Sequence, residues 1–289
     1  MTIPKKPPPY PDCLTKQSPA SNIKAWEDLT IADDYMFKLV MKHKHIFKHL
    51  LEMILGVKIK RLVDPETEKP LKNNYESKGI RLDVYVEDDE ETVYDIEMQV
   101  RRYPEATLGR RTRYYQSVID FDSLQAGLDY NKLKKSIIIF ICPFKIFDGR
   151  RHLYTFRNIC QEKKSIQLDD GSLKIFLSTK GTMNDVPSKV KNFLNFVDGL
   201  PVKDKWVDEI RELISRIKEI EEEKVNYMTF QMKIAEERAD AEARGEARGE
   251  DKLSRLIAHL IEIGKSDQIL SVTQSALLRN QLYEKYGIV

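Results

Sequence analysis

Cysteine is scarce in this chain: Cys13, Cys142 and Cys160 are odd in number and far apart. They form no metal-ligand pattern, and reduced thiols in the cytoplasm account for them. The five histidines, His43, His45, His49, His152 and His259, supply no ligand set either. His45 and His49 are one helical turn apart, but no companion acid completes a zinc motif there. Long apolar runs are missing too. None approaches the ~20 residues that a spanning helix needs, which argues against a membrane span. Met1 to Ser21 holds Pro and Lys but no apolar segment, so it does not read as a secretory leader. An excess of one charge is also absent. Forty-eight basic and 46 acidic residues leave a net charge of +2. Any attraction to nucleic acid must therefore come from a local basic surface.

What remains is a 289-residue chain with 41% hydrophobic and 33% charged residues, enough for one large domain with charged helical appendages. The Pro-rich stretch 1–27 predicts a disordered arm, and 28–205 the main domain. A helix is expected from an N-cap at Asp33 or Asp34 to a stop at Gly56. Strands are expected at Val57–Val63, Arg81–Val86 and Thr92–Val100, then a helix over about Glu105–Leu124 beginning near Pro104. Lys135–Cys142 reads as a buried strand ended by Pro143. Leu153–Ile159, at an edge, and Leu173–Leu177 follow, and helices resume around Asn192–Val197. This order suggests an α/β sandwich with a mixed sheet.

From Trp206 the chain turns helical. Trp206, Ile210, Leu213, Ile217 and Ile220 recur with 4-3-4-3 spacing, either a helix docked on the body or the seam of a homodimer. A long charged helix or coil is expected over 206–250, weakened by Gly245 and Gly249. A small helical segment is expected over 251–289. Its break at Gly264 allows a helix-turn-helix but offers no clear basic recognition face.

The most informative residues are acids on two adjacent strands. Arg81-Leu82-Asp83-Val84-Tyr85-Val86 and Val93-Tyr94-Asp95-Ile96-Glu97-Met98-Gln99 alternate with period two around an acidic turn, Glu87 to Glu91. Fourteen residues separate Asp83 from Glu97. Glu97 and Gln99 share a strand face, so a carboxylate from one strand can meet a carboxylate and an amide from its neighbour, a cradle for a divalent cation. Two solvated polar-face residues fit the pattern as well. Asp95 shares the face of Glu97 and Gln99, and solvent is its expected surrounding.

These residues resemble the PD-(D/E)XK nuclease superfamily and, within it, the bacterial recombination-promoting nuclease (Rpn) and transposase family. Further matching stretches are Asp33-Asp34-Tyr35-Met36-Phe37-Lys38, Arg110-Arg111-x-Arg113-Tyr114-Tyr115-Gln116 and Ser136 to Phe140, and the likeness covers roughly residues 28–200. Leu82 stands where the superfamily has Pro, and Gln99 where many relatives have Lys. The resemblance implies a restriction-endonuclease-like core, a mixed central sheet flanked by helices, here with a helical C-terminal extension. It also implies a DNA endonuclease that uses Mg²⁺ or Mn²⁺, with a role in recombination or mobile elements. Asp83, Glu97 and Gln99 become the expected catalytic residues. Asp83, Glu97 and the Met98 carbonyl become the expected metal ligands, with Asp34 as an auxiliary acid.

Magnesium prefers one or two carboxylates and several retained waters, which suits two acids. Asp34 and Lys38 are at i and i+4, so they are equally able to pair with each other on the surface. Arg101, Arg110, Arg111, Arg113 and Tyr114 offer contacts to a phosphate backbone, or pair with the acidic turn. A DDE transposase is disfavoured, since no third acid stands at a suitable position on a later helix. The rival from another class is a degenerate DNA-binding or oligomerising module of the same fold.

Overall fold

The computed structural model describes residues 24–71, 80–124 and 127–288; the expected arm lies outside the described residues up to position 23. The chain divides into two compact units, Ala25–Lys224 and one that holds Val225 onward.

The first unit is built on a six-stranded sheet. Its strands are β1 (Glu66–Leu71), β2 (Ile80–Glu87), β3 (Val93–Met98), β4 (Ser136–Cys142), β5 (Leu153–Phe156) and β6 (Ser172–Ser178). They lie in the order β1-β2-β3-β4-β6-β5. β3, β4 and β6 are parallel to one another, and the other pairs are antiparallel. A parallel β3–β4 pair needs a crossover, and helix α3 (Glu105–Ser123) supplies it. Leu108, Tyr115, Val118 and Ile119 of α3 pack with Tyr85, Val93, Ile138, Phe140 and Phe176 of the sheet. The mixed sheet flanked by helices is the expected α/β architecture.

Three local expectations change. The helix predicted from Asp33 to Gly56 is two helices, α1 (Asp34–Met41) and α2 (Lys44–Leu55). His43 between them is extended, and the bend lets both Met36, Phe37, Val40 and Met41 and Ile46, Phe47, Leu50 and Leu51 reach the interior. Gly56 does end α2, at φ 68°, a left-handed position that glycine fills without strain. Asp33 precedes α1, but its carboxylate accepts from the Thr30 N–H at 2.7 Å rather than from the helix.

The strand predicted over Val57–Val63 does not form. Only Leu62 makes a bridge, to Asp88, because this stretch bonds to the short turn: Val63 N–H to Glu87 O at 2.8 Å and Asp89 N–H to Arg61 O at 3.2 Å. The pairing strand is Glu66–Leu71 instead. Its polar sequence and Pro70 hid it, yet an edge strand tolerates proline.

Helices α4 (Ser188–Val197) and α5 (Lys205–Lys218) complete this unit. Asp204 caps α5, accepting from the Trp206 N–H at 3.0 Å. The seam Ile210, Leu213 and Ile217 is buried within the unit, and Trp206 packs on His49 and Phe193. Ile220, the last seam position, is exposed. Helix α6 (Glu221–Glu262) runs 42 residues without a break at Gly245 and Gly249, where an added side chain would meet open space. Helices α7 (Ile269–Gln274) and α8 (Ala276–Tyr286) follow Gly264, and Leu256, Leu260, Val272 and Leu282 form their shared core. Among the described residues no helix is long and apolar enough to cross a membrane.

Candidate active site

Strand register brings the predicted acids together. Val84 pairs with Ile96 in the antiparallel β2–β3 ladder, so Asp83 and Glu97 stand directly across from each other on one face. Each carboxylate takes a backbone donor from the partner strand. The Asp83 N–H donates to Glu97 Oε1 at 2.9 Å, and the Met98 N–H to Asp83 Oδ2 at 3.2 Å. The Met98 carbonyl accepts from the Val100 N–H at 3.1 Å, which leaves it one further lone pair.

Asp95 is on the same face, one step deeper. It is fully buried, where the sequence predicted solvent. The cause is β3 itself, whose residues are all buried because α3 covers the face that alternation marked as polar. Both Asp95 carboxylate oxygens are buried without a hydrogen-bond partner. Burial, then the charge of Asp83, pushes the Asp95 carboxyl well above its ordinary range. Glu97 is raised likewise, by burial first and then by Asp83 and Asp95. Asp83 is pushed up to about 6 by burial, with Lys38 opposing the shift and Asp34 adding to it.

Helix α1 contributes the residue that sequence reasoning did not single out. Lys38, expected to pair with Asp34 on the surface, is buried, and its Nζ is 3.2 Å from Asp83 Oδ1. The Asp34 carboxylate, half exposed, is 3.9 Å from the same ammonium. A lysine among Met36, Phe37, Val40 and Met41 shows as a polar interruption in the sequence; nothing there says that it reaches a strand acid.

Gln99 and Arg111 form the other wall. Arg111 donates to Gln99 Oε1 through Nη1 and, through Nη2, to Tyr115 Oη at 2.7 Å and Glu97 Oε2 at 3.5 Å. The Gln99 amide donates to the Arg101 carbonyl. The guanidinium lies against the rings of Tyr103, Tyr115 and Phe140, at 5.5, 5.2 and 5.3 Å. Arg111 is thus turned inward. Its spacing from Leu108 and Tyr115 on the buried stripe of α3 was the available signal. Arg101, Arg110 and Arg113 are exposed, and Tyr114 is half-buried against the core.

Three clustered carboxylates with raised affinity for protons, one wholly without donors, are suited to a hard cation. Asp83 and Glu97 fit a divalent metal by donor type and by this unmet charge. Among the described residues no group of three or more acids, histidines or cysteines is arranged to hold a metal ion, so the candidate side-chain ligands are the Asp83–Glu97 pair alone.

No curated protein and no solved structure matches the chain. A family model does: residues 31–256, most of the chain, match the PD-(D/E)XK nuclease family transposase model. That span contains α1, the β2–β3 hairpin with its acids, and α3 with Arg111. The chain belongs to the PD-(D/E)XK nuclease family transposases.

Proposed function

We propose that the protein is a cytoplasmic DNA endonuclease dependent on Mg²⁺ or Mn²⁺, acting in recombination or on mobile elements. The observation that carries this is the Asp83–Glu97 cross-strand pair with orphaned Asp95 beneath it. Two strand acids and their backbone donors form a rigid, oxygen-rich corner whose charge calls for a cation.

Bound there, the ion supplies an activated nucleophile and stabilises charge on the phosphoryl group. Asp83 and Glu97 hold it, with the Met98 carbonyl as a further ligand. Gln99 orients the attacking water or donates to a phosphate oxygen. Arg111 fixes the Gln99 amide and one Glu97 oxygen, so that Glu97 presents a single geometry. This order comes from the rigid fork of a guanidinium. The exposed Arg101, Arg110 and Arg113, with Tyr114, meet the DNA backbone at some distance from the reacting bond.

Incubation of supercoiled plasmid with Mg²⁺ or Mn²⁺ and the parent, Asp83→Ala or Glu97→Ala protein tests the assignment. Nicking by the parent and by neither variant is the expected outcome. Cleavage that persists in both variants refutes the site. DNA bound but uncut by all three identifies a binding module without hydrolysis.

A further inference from the structure

A guanidinium beside a carboxylate tends to close on it, because the two planar groups match in two parallel N–H···O bonds of about 2.7–2.9 Å. Arg111 and Glu97 are neighbours that do not close. Only Nη2 reaches Glu97, at 3.5 Å from Oε2, which is long for a hydrogen bond. The other arm of the fork, Nη1, donates to Gln99 Oε1. Nη2 makes its short bond elsewhere, to the Tyr115 hydroxyl at 2.7 Å.

Tyr115 is placed to impose this arrangement. It follows Arg111 by four residues on α3, so the two side chains share one face of the helix. Its ring is buried with Leu108, Val118, Ile119 and Phe140, and its centroid is 6.1 Å from that of Phe140. Close packing on the ring fixes where the hydroxyl oxygen stands. A sheltered guanidinium must place its N–H donors on acceptors. Gln99 and Tyr115 supply two of them, so Arg111 is served without closing on Glu97.

The consequence falls on the cation. A carboxylate that holds a metal must offer it a lone pair and a negative charge. An arginine closed over Glu97 would occupy the same oxygens and cancel the same charge. Held at 3.5 Å, the guanidinium still orients Glu97 but leaves Oε2 weakly engaged.

We propose that Tyr115 is a positioning residue for the metal centre, whose hydroxyl keeps Arg111 from closing on Glu97. It touches neither metal nor substrate and acts through Arg111. The role deepens the metal assignment of Asp83 and Glu97 and rests on it. Without the hydroxyl, Nη2 loses its short bond, and the acceptor it already reaches is Glu97 Oε2.

Calorimetric titration with Mn²⁺ tests this on the parent, Tyr115→Phe, Arg111→Met and the Tyr115→Phe/Arg111→Met double variant. The melting temperature of metal-free protein reports folding. Tyr115→Phe is expected to raise the Kd for Mn²⁺ by about tenfold, within the usual effect of a partner behind a metal ligand. The double variant should recover most of that loss, since no guanidinium remains to close on Glu97, a coupling opposite in sign to simple damage. A hydroxyl that only supported the fold would lower the melting temperature and leave the Kd of the folded molecule unchanged. A Kd for folded Tyr115→Phe within about threefold of the parent overturns the proposal. A loss that the double variant keeps or deepens overturns it too. If Tyr115→Phe does not fold, Tyr115→Leu, alone and with Arg111→Met, carries the same two predictions. A parent that binds no Mn²⁺ overturns the metal assignment, and this role with it, a result distinct from a parent and variant that bind equally well.

Discussion

The β2–β3 hairpin carries acids at both of its ends, and the two groups live under opposite conditions. At the turn, Asp88 is nearly buried yet fully served. Its Oδ1 accepts from the Glu90 and Thr92 N–H groups, both at 2.9 Å, and its Oδ2 from the Tyr94 hydroxyl at 2.6 Å. Glu87 is held by Lys134 at 2.7 Å. At the other end Asp95 is buried with only the neighbouring Glu97 carboxyl to share a proton with and no nitrogen donor, while Asp83 and Glu97 share two backbone donors, one ammonium and one guanidinium. The turn is the richer in acidic residues, so composition alone points away from the proposed site. Unmet demand for positive charge, rather than the number of carboxylates, separates a site from a structural acid.

Cleavage breaks this comparison most sharply. Glu97→Gln should lose about a thousandfold in rate, about 4 kcal/mol of transition-state stabilisation. Glu90→Gln and Glu91→Gln at the turn should cut like the parent. Equal losses at both ends would erase the distinction.

Stability should divide the other way. Asp88→Ala strands two backbone donors and the Tyr94 hydroxyl, a cost of about 2–3 kcal/mol, and thermal melting should record it as a fall of several degrees. Asp95→Asn removes a buried ionisable carboxyl from the interior and should raise the melting temperature of metal-free protein at pH 7.5, by the equivalent of about 1 kcal/mol. A fall at Asp95→Asn would mean that this carboxylate has a structural partner.

The smallest effect is on pH dependence. Asp83 is pushed up to about 6 from an unfolded value near 3.8. Between those values the folded protein binds more protons than the unfolded chain. Its contribution to stability is therefore greatest at the acid end and is lost as pH rises through about 6. In EDTA, melts from pH 5 to 7.5 should show this decline, and Asp83→Asn should lessen it, the raised Asp95 and Glu97 carboxyls supplying the rest. A decline of unchanged slope in Asp83→Asn would place the titrating group elsewhere.

Much of this was legible in the sequence, for reasons specific to each part. Period-two alternation gave β2 and β3, and the isoleucine run gave the buried strand β4. The register that joins Asp83 to Glu97 followed from a short turn. Local pattern failed where tertiary contacts decide. β1 is polar and holds Pro70, so only its pairing with β2 reveals it. Asp95 read as solvent-facing because alternation reports polarity, not whether a helix such as α3 lies over the polar face. Lys38 and Arg111 looked like surface charges, since helical spacing gives a residue's neighbours on its own helix but not the strand acid across from it.

Calorimetric titration with Mn²⁺ tests the central claim most directly, comparing the parent with an Asp83→Asn/Glu97→Gln double variant and with a Glu90→Gln/Glu91→Gln double variant. The account predicts binding by the parent and the turn variant, with a stabilisation of about 2.7 kcal/mol at a hundredfold excess over Kd, and none by the Asp83/Glu97 variant. Binding that survives in the Asp83/Glu97 variant and disappears in the turn variant would contradict it.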